Sequence, residues 1–235
     1  MAFADHPTLH PVNWLRDIEA QVPRKLARDV WNRFRYGPGA PLSDEPVFLD
    51  PLAVRDSYDS ATGGKRLRRQ QSGKIVGGDW DRCRTPFAAN IKAESCRMHY
   101  LDGVPWEDTP LFARMMRHVA EGRRPDGCNS REDVLDRYET LDRIYDETRR
   151  RGRLLTQSEL PCYFRREHGG ILVHIDRDGQ PLRAGGGMHR LAIAQILELP
   201  EIPAQVGVVH PEALMKGLYA PLRRSRLGRD AYARA

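Results

Sequence analysis

Apolar positions recur along the chain at two spacings, and each spacing predicts one kind of element. Helical spacing appears first near the amino terminus. Asn13 can cap a short turn carrying Trp14, Leu15 and Ile18, and Pro23 opens a second helix ended by Gly37. On that second helix Leu26, Val30, Trp31 and Phe34 form one apolar face, and Arg24, Lys25, Arg28, Arg33 and Arg35 occupy the other, expected to be solvated. Thr109-Pro110 is a cap followed by proline, with Leu111, Met115 and Val119 as the stripe and Gly122 as the stop. Ser130 with Asp133 starts a helix that carries Val134, Leu135, Tyr138, Leu141 and Tyr145 and ends at Arg149-Arg150-Arg151. Acids early and arginines late complement the helix dipole, so those three arginines have a structural reason.

Alternation marks the strands. VFLDPLAV (47–54) reads as a short strand broken at Pro51. Ile171, Val173 and Ile175 alternate as a half-buried strand, Asp178-Gly179 is a hairpin turn, and Pro181-Leu182 begins a strand running into Gly185-Gly186-Gly187. Met188 to Leu199 is a compact helix stopped at Pro200, and Ile202 to Val209 is a further strand. Between these, GPGAPLSDEP is a turn-rich linker. Residues 55 to 74, with Lys65, Arg66, Arg68, Arg69 and Lys74, read as a mobile loop or basic arm. KIVGGDWD reads as a strand at Ile75-Val76 entering a glycine turn; if the strand continues, Asp79 and Asp81 fall on one side of Trp80. There is no internal repeat. The pattern mixes helices with strands.

Composition narrows the class. At 235 residues and 40% hydrophobic the chain can bury a sizeable core. A mean hydropathy of -0.62 and the lack of any apolar run of about 20 residues predict no membrane span. The amino terminus has no secretory pattern, so a cytoplasmic location is expected. Of 38 cations 33 are Arg and 5 Lys, with a net charge of +6. Guanidinium forks suit phosphate and carboxylate partners, while a base-composition bias would give the same skew. Four scattered cysteines, Cys83, Cys96, Cys128 and Cys162, fit reduced thiols. Cys96 and His99 form a C-x-x-H pair, but no second close pair completes a zinc site, and no metal ligand is assigned.

Two spots carry candidate chemistry. A glycine turn directly before a helix leaves backbone N–H groups at the positive end of the dipole, a ready anion site. Gly185, Gly186, Gly187 and Met188 form that turn, and His189 and Arg190 fall in the first helical turn, where cations oppose the dipole unless an anion is bound. Asp79 and Asp81, beside glycines and Trp80, suit Mg²⁺ or a general base, although turn chemistry alone also accounts for them.

The segment AGGGMHRLAIAQILELPEIPAQV resembles the signature shared by the ParB amino-terminal domain and sulfiredoxin: a strand ending in G-x-H-R, a short Ala-rich helix, and an I-P-A-x-V strand. VFLDPLAV is similar to that family's opening strand. The resemblance implies a small α+β nucleotide-binding fold, a mixed sheet with helices, as a ParB/sulfiredoxin-like domain over 46–210 interrupted by a mostly helical insertion at 75–155. A helical segment would precede it at 1–45 and a basic tail follow at 211–235. It also implies that Gly186, Gly187, Met188, His189 and Arg190 contact nucleoside triphosphate phosphates. Met188 stands where sulfiredoxins carry their catalytic cysteine, which disfavours that chemistry. Only 25 residues follow His210, which disfavours centromere binding through a helix-turn-helix domain.

The leading expectation is a nucleotide-binding protein acting as a phosphotransferase on a small molecule. ATP or ADP, or CTP, would sit on the Gly185–Arg190 turn, His189 would assist as a catalytic group, and Asp79 or Asp81 would orient an acceptor hydroxyl and hold Mg²⁺. The alternatives are a nucleic-acid-associated binder or nuclease, using residues 65–74 and Arg223, Arg224, Arg226 and Arg229 of the tail, and a non-catalytic nucleotide binder.

Overall fold

The computed structural model describes residues 21–62, 65–156, 159 and 170–228; the expected turn at Asn13–Ile18 and Cys162 lie outside them. Six strands form one mixed sheet: β1 (Pro46–Leu49), β2 (Asp56–Tyr58), β3 (Arg84–Pro86), β4 (Leu172–Ile175), β5 (Pro181–Gly185) and β6 (Ile202–Val209). Their order is β1-β6-β4-β5-β2-β3, with β4 and β6 parallel, β2 and β5 parallel, and the other pairs antiparallel. Six α-helices surround the sheet: α1 (Val22–Tyr36), α2 (Ile91–Tyr100), α3 (Pro110–Ala120), α4 (Arg131–Arg151), α5 (Met188–Ile196) and α6 (Pro211–Met215). The fold is thus α+β. No helix among the described residues is long and apolar enough to cross a membrane.

Strand β4, expected to be half-buried, is buried at all four positions because it lies inside the sheet with layers on both faces. Val173 and Ile175 face the larger core with Leu191 and Ile193 of α5. His174 points the other way, into a smaller cluster where it meets Tyr58 and Trp80 edge-on at 5.2 and 5.6 Å. The pairing of β4 with β6 shifts register between Val173 and Ile175. Gly207 lies at that shift, and a Cβ there would come within 2.2 Å of His174 Nδ1. Only glycine admits the imidazole, whose Nδ1 accepts from Val208 N–H at 3.1 Å.

Helix α1 sits the opposite way round from its expected orientation. Leu26, Val30, Trp31 and Phe34 are exposed, Phe34 at 82%, whereas Lys25 and Asn32 are buried. Tertiary partners explain the inversion. Lys25 pairs with Asp44 at 2.8 Å, Asn32 donates to the carbonyls of Pro41 and Gly73, and Asp29 accepts from Ser43. The polar face is satisfied by the linker and by residues 72–73 rather than by water.

Those contacts also correct the reading of residues 55–74. The segment holds β2 and a 3₁₀ turn at Arg69–Gln71, with Leu67, Ser72 and Gly73 buried. It is no mobile loop, because Arg69 donates to Gly170 O at 3.0 Å and Gly73 N–H to Gly207 O at 2.7 Å. Within the stretch 75–155, read as mostly helical, Ile75 bridges Val209 and β3 closes the sheet edge, and the α-helices begin after Pro86. Two of these helices begin as read, with Thr109 capping α3 and the Ser130–Asp133 box capping α4, while α2, capped by Asn90, was not foreseen. Past His210 the chain packs on the domain through at least Arg223. Tyr219 is buried against Glu45, and Arg223 pairs with Glu45 at 2.9 Å, so that arginine is committed to the fold.

Candidate functional site: a cationic cavity at the glycine turn

Strand β5 ends in three glycines with positive φ, and the last of them, Gly187 at φ 58, is the amino-terminal cap of α5. A Cβ on Gly186 or Gly187 would strike Gly170 O at 2.9 Å or the Ile171 backbone at 2.8 Å. The turn is therefore pinned against the chain entering β4. No side chain caps α5, which leaves the first-turn N–H groups of a nine-residue helix to whatever occupies the space before them.

That space is a cavity of about 890 Å³ between the glycine turn and the helical insertion, within the size range of small-molecule sites. Gly186, Gly187, Met188, His189 and Arg190 line one side, joined by Arg183 from β5. The insertion supplies the other: Lys92 at the start of α2, Arg114 of α3, Asp126 between α3 and α4, and Asp133, Asp136 and Arg137 around the start of α4. Five cationic side chains face three carboxylates, two of them already engaged. Asp126 pairs with Arg137 at 2.8 Å and Lys92 at 3.3 Å, and Asp133 accepts from the N–H groups of Asn129 and Ser130 as part of its cap.

Two nitrogens in the wall are buried with no hydrogen-bond partner among the described residues, His189 Nε2 and Arg183 Nε. Burial, reinforced by Lys92 and Arg137, lowers the His189 pKa to about 4, so the imidazole is neutral at pH 7. Burial also lowers the Arg183 and Arg190 pKa values, though a guanidinium stays charged. Arg190 donates to Leu155 O at 2.5 Å, tying α5 to the chain beyond α4. Asp126 stays ionised, because Lys92 and Arg137 outweigh the upward push of burial.

The other expected site lies elsewhere. Asp79 and Asp81 do share one side, through a 3₁₀ turn rather than a continued strand, and both grip Arg177 at 2.8 and 2.7 Å. Arg177 belongs to the turn between β4 and β5, at the opposite end of β5 from the glycines, about 13 Å of strand away. Burial would raise the Asp81 carboxyl, but the Arg177 donors hold its pKa down to about 2. The pair works as a clamp on the hairpin, and Trp80 packs beneath it, donating to Val76 O at 2.7 Å.

Asp126 and Asp133 are engaged, and no group of three His, Cys, Asp or Glu among the described residues could hold a metal ion. Cys96 is buried with its thiol pushed up to about 12 by burial, and His99 faces Val104 O and Asp142. Sequence reasoning missed Lys92, Arg114, Asp126, Asp136, Arg137 and Arg183. Arg183 alone left a trace, as a cation between Leu182 and Ala184 in β5.

Fold and cavity together define an α+β protein with a cationic chamber at an uncapped helix start. No family model, curated protein or solved structure matches the chain.

Proposed function

We propose that the protein binds a phosphate ester of nucleotide size in this cavity, with the phosphates on the Gly186–Arg190 helix start. The observation that carries the reading is convergence: an uncapped helix start, two buried nitrogens without a partner among the described residues and five cations from separate elements meet at one cavity. Cations near a helix start oppose its dipole, so an anion bound there adds to the partial compensation that Asp126 gives Lys92 and Arg137 and that Leu155 O gives Arg190. ATP, ADP and CTP remain the nucleotides to test, and the ParB/sulfiredoxin-like resemblance supports the same turn. Any Mg²⁺ would arrive on the phosphates.

Phosphoryl transfer to a small-molecule hydroxyl is the activity such a site suits. Asp136 lines the cavity, exposed and without an ion pair among the described residues, so it replaces Asp79 and Asp81 as the group to orient an acceptor. Neutral His189 would donate to the transferring group. The test is thermal stability with each nucleotide, with and without Mg²⁺, on the wild-type protein and Arg183→Gln. Stabilisation that the substitution removes supports the reading. An unchanged midpoint with every nucleotide rejects it.

A further inference from the structure

Helix α1 and residues 66–74 enclose a groove of about 510 Å³ on a different part of the surface, lined by Arg24, Arg28, Trp31, Arg66, Arg68 and Lys74 together with glutamine amides. No Asp or Glu is among its lining residues. Arg28 is structural, donating to the carbonyls of Ser72 and Gln70 and so holding the two walls together. Arg24, Arg66, Arg68 and Lys74 are exposed and form no ion pair among the described residues. Trp31 is 60% exposed in the same wall, with the Phe34 ring 6.0 Å away.

Gathering like charges without acids is unfavourable, and so is leaving an indole in water. One class of ligand relieves both. A single-stranded nucleic acid brings a phosphate row for the cations and unpaired base faces for the indole, and the glutamine amides offer donors and acceptors to base edges. A second copy of this chain would set arginines against arginines. A lipid surface would engage the outward Val30 and Phe34 but leaves the concave, charged side of Trp31 unexplained. We propose that this groove binds single-stranded RNA or DNA, its phosphates tracking Arg24, Arg66, Arg68 and Lys74 and one base stacking on Trp31. The proposal is independent of the cavity and stands if no nucleotide binds there.

The test uses the full chain and a fluorescein-labelled mixed-sequence 20-mer, as RNA and as DNA, with anisotropy read across a salt series from about 50 mM upward. Binding should weaken with salt. The triple variant Arg66→Gln, Arg68→Gln, Lys74→Gln should reduce the log–log salt slope by about 2, since each single-strand phosphate contact contributes roughly 0.7. Trp31→Ala should weaken binding about tenfold with the slope unchanged. All four positions are exposed, and a thermal midpoint within about 2 °C of the wild type confirms folding of each variant. Phe34→Ser, which keeps the groove, should retain oligonucleotide affinity. The proposal is overturned if neither oligonucleotide binds at low salt, or if Trp31→Ala is silent while inorganic polyphosphate competes equally per phosphate. It is also overturned if phosphatidylserine vesicles bind in place of the oligonucleotide and Phe34→Ser abolishes that.

Discussion

Replacing Asp126 by Asn should tighten the binding of a phosphate ligand. Asp126 is the carboxylate that partly neutralises Lys92 and Arg137 at the cavity wall. The substitution preserves shape, and the backbone tolerates it: Asp126 holds φ 53, a left-handed conformation in which Asn is as comfortable as Asp. Its direct stability cost is small, because both ion pairs are partly solvated and such pairs contribute about 0–1 kcal/mol each. The effect on an anion is larger. A unit charge roughly 7 Å from a bound phosphate, at an effective dielectric constant of about 40, contributes about 1 kcal/mol of repulsion per phosphate charge. Removing it predicts at least about fivefold tighter binding of ADP or pyrophosphate, with a steeper dependence on salt. Isothermal calorimetry at two salt concentrations measures this. Unchanged or weaker binding by Asp126→Asn would refute the electrostatic reasoning and give Asp126 a direct role in holding the ligand.

The remaining expectations concern other groups. The His189 pKa of about 4 should appear in an NMR titration of the free protein and rise when pyrophosphate binds, so that affinity grows on acidification. Because the folded value lies below the ordinary 6.5, the unfolded chain takes up the proton first. Stability should therefore fall as pH drops from about 6.5 to about 4, and His189→Gln should remove roughly 3 kcal/mol of that loss in urea titrations while the share of buried His174, whose pKa burial lowers to about 3, remains. Gly207→Ala should destabilise by about 2–3 kcal/mol, since its Cβ overlaps His174; a urea midpoint unchanged from the wild type contradicts that packing. Asp79→Asn and Asp81→Asn should leave nucleotide affinity within about twofold, being a strand's length from the cavity. Asp81→Asn should also remove the stability that the wild type loses as pH falls from about 4 towards 2.

What could be read from the sequence was what is local. The Thr109 cap, the Ser130–Asp133 box, the stop at Gly37 and the strand–glycine–helix–strand order all depend on residues a few positions apart, and they occur as read. Helix α1 shows where this ends. Amphipathicity identifies two faces without saying which is buried, and here the polar face finds Asp44, Pro41 O and Gly73 O, which no periodicity signals. Asp79 and Asp81 were legible as neighbours but not as partners of Arg177, which lies 96 residues beyond Asp81. The glycine turn was legible because its conformation is written in its own residues. Its opposing wall was not, since Lys92, Asp126 and Arg137 reach the turn only through the packing of the insertion on α5. The basic groove joins α1 to residues 66–74 by the same kind of long-range contact.

The central claim, a phosphate ligand held between the glycine turn and the insertion, is tested most directly by the thermal midpoint under saturating nucleotide. At a ligand concentration about a hundredfold above Kd, linkage gives about 2.7 kcal/mol, or roughly 5–10 °C for a domain of this size. ATP, ADP or CTP is expected to produce that rise in the wild-type protein and not in Arg183→Gln. An unchanged midpoint with all three, or an equal rise in both proteins, would contradict the account.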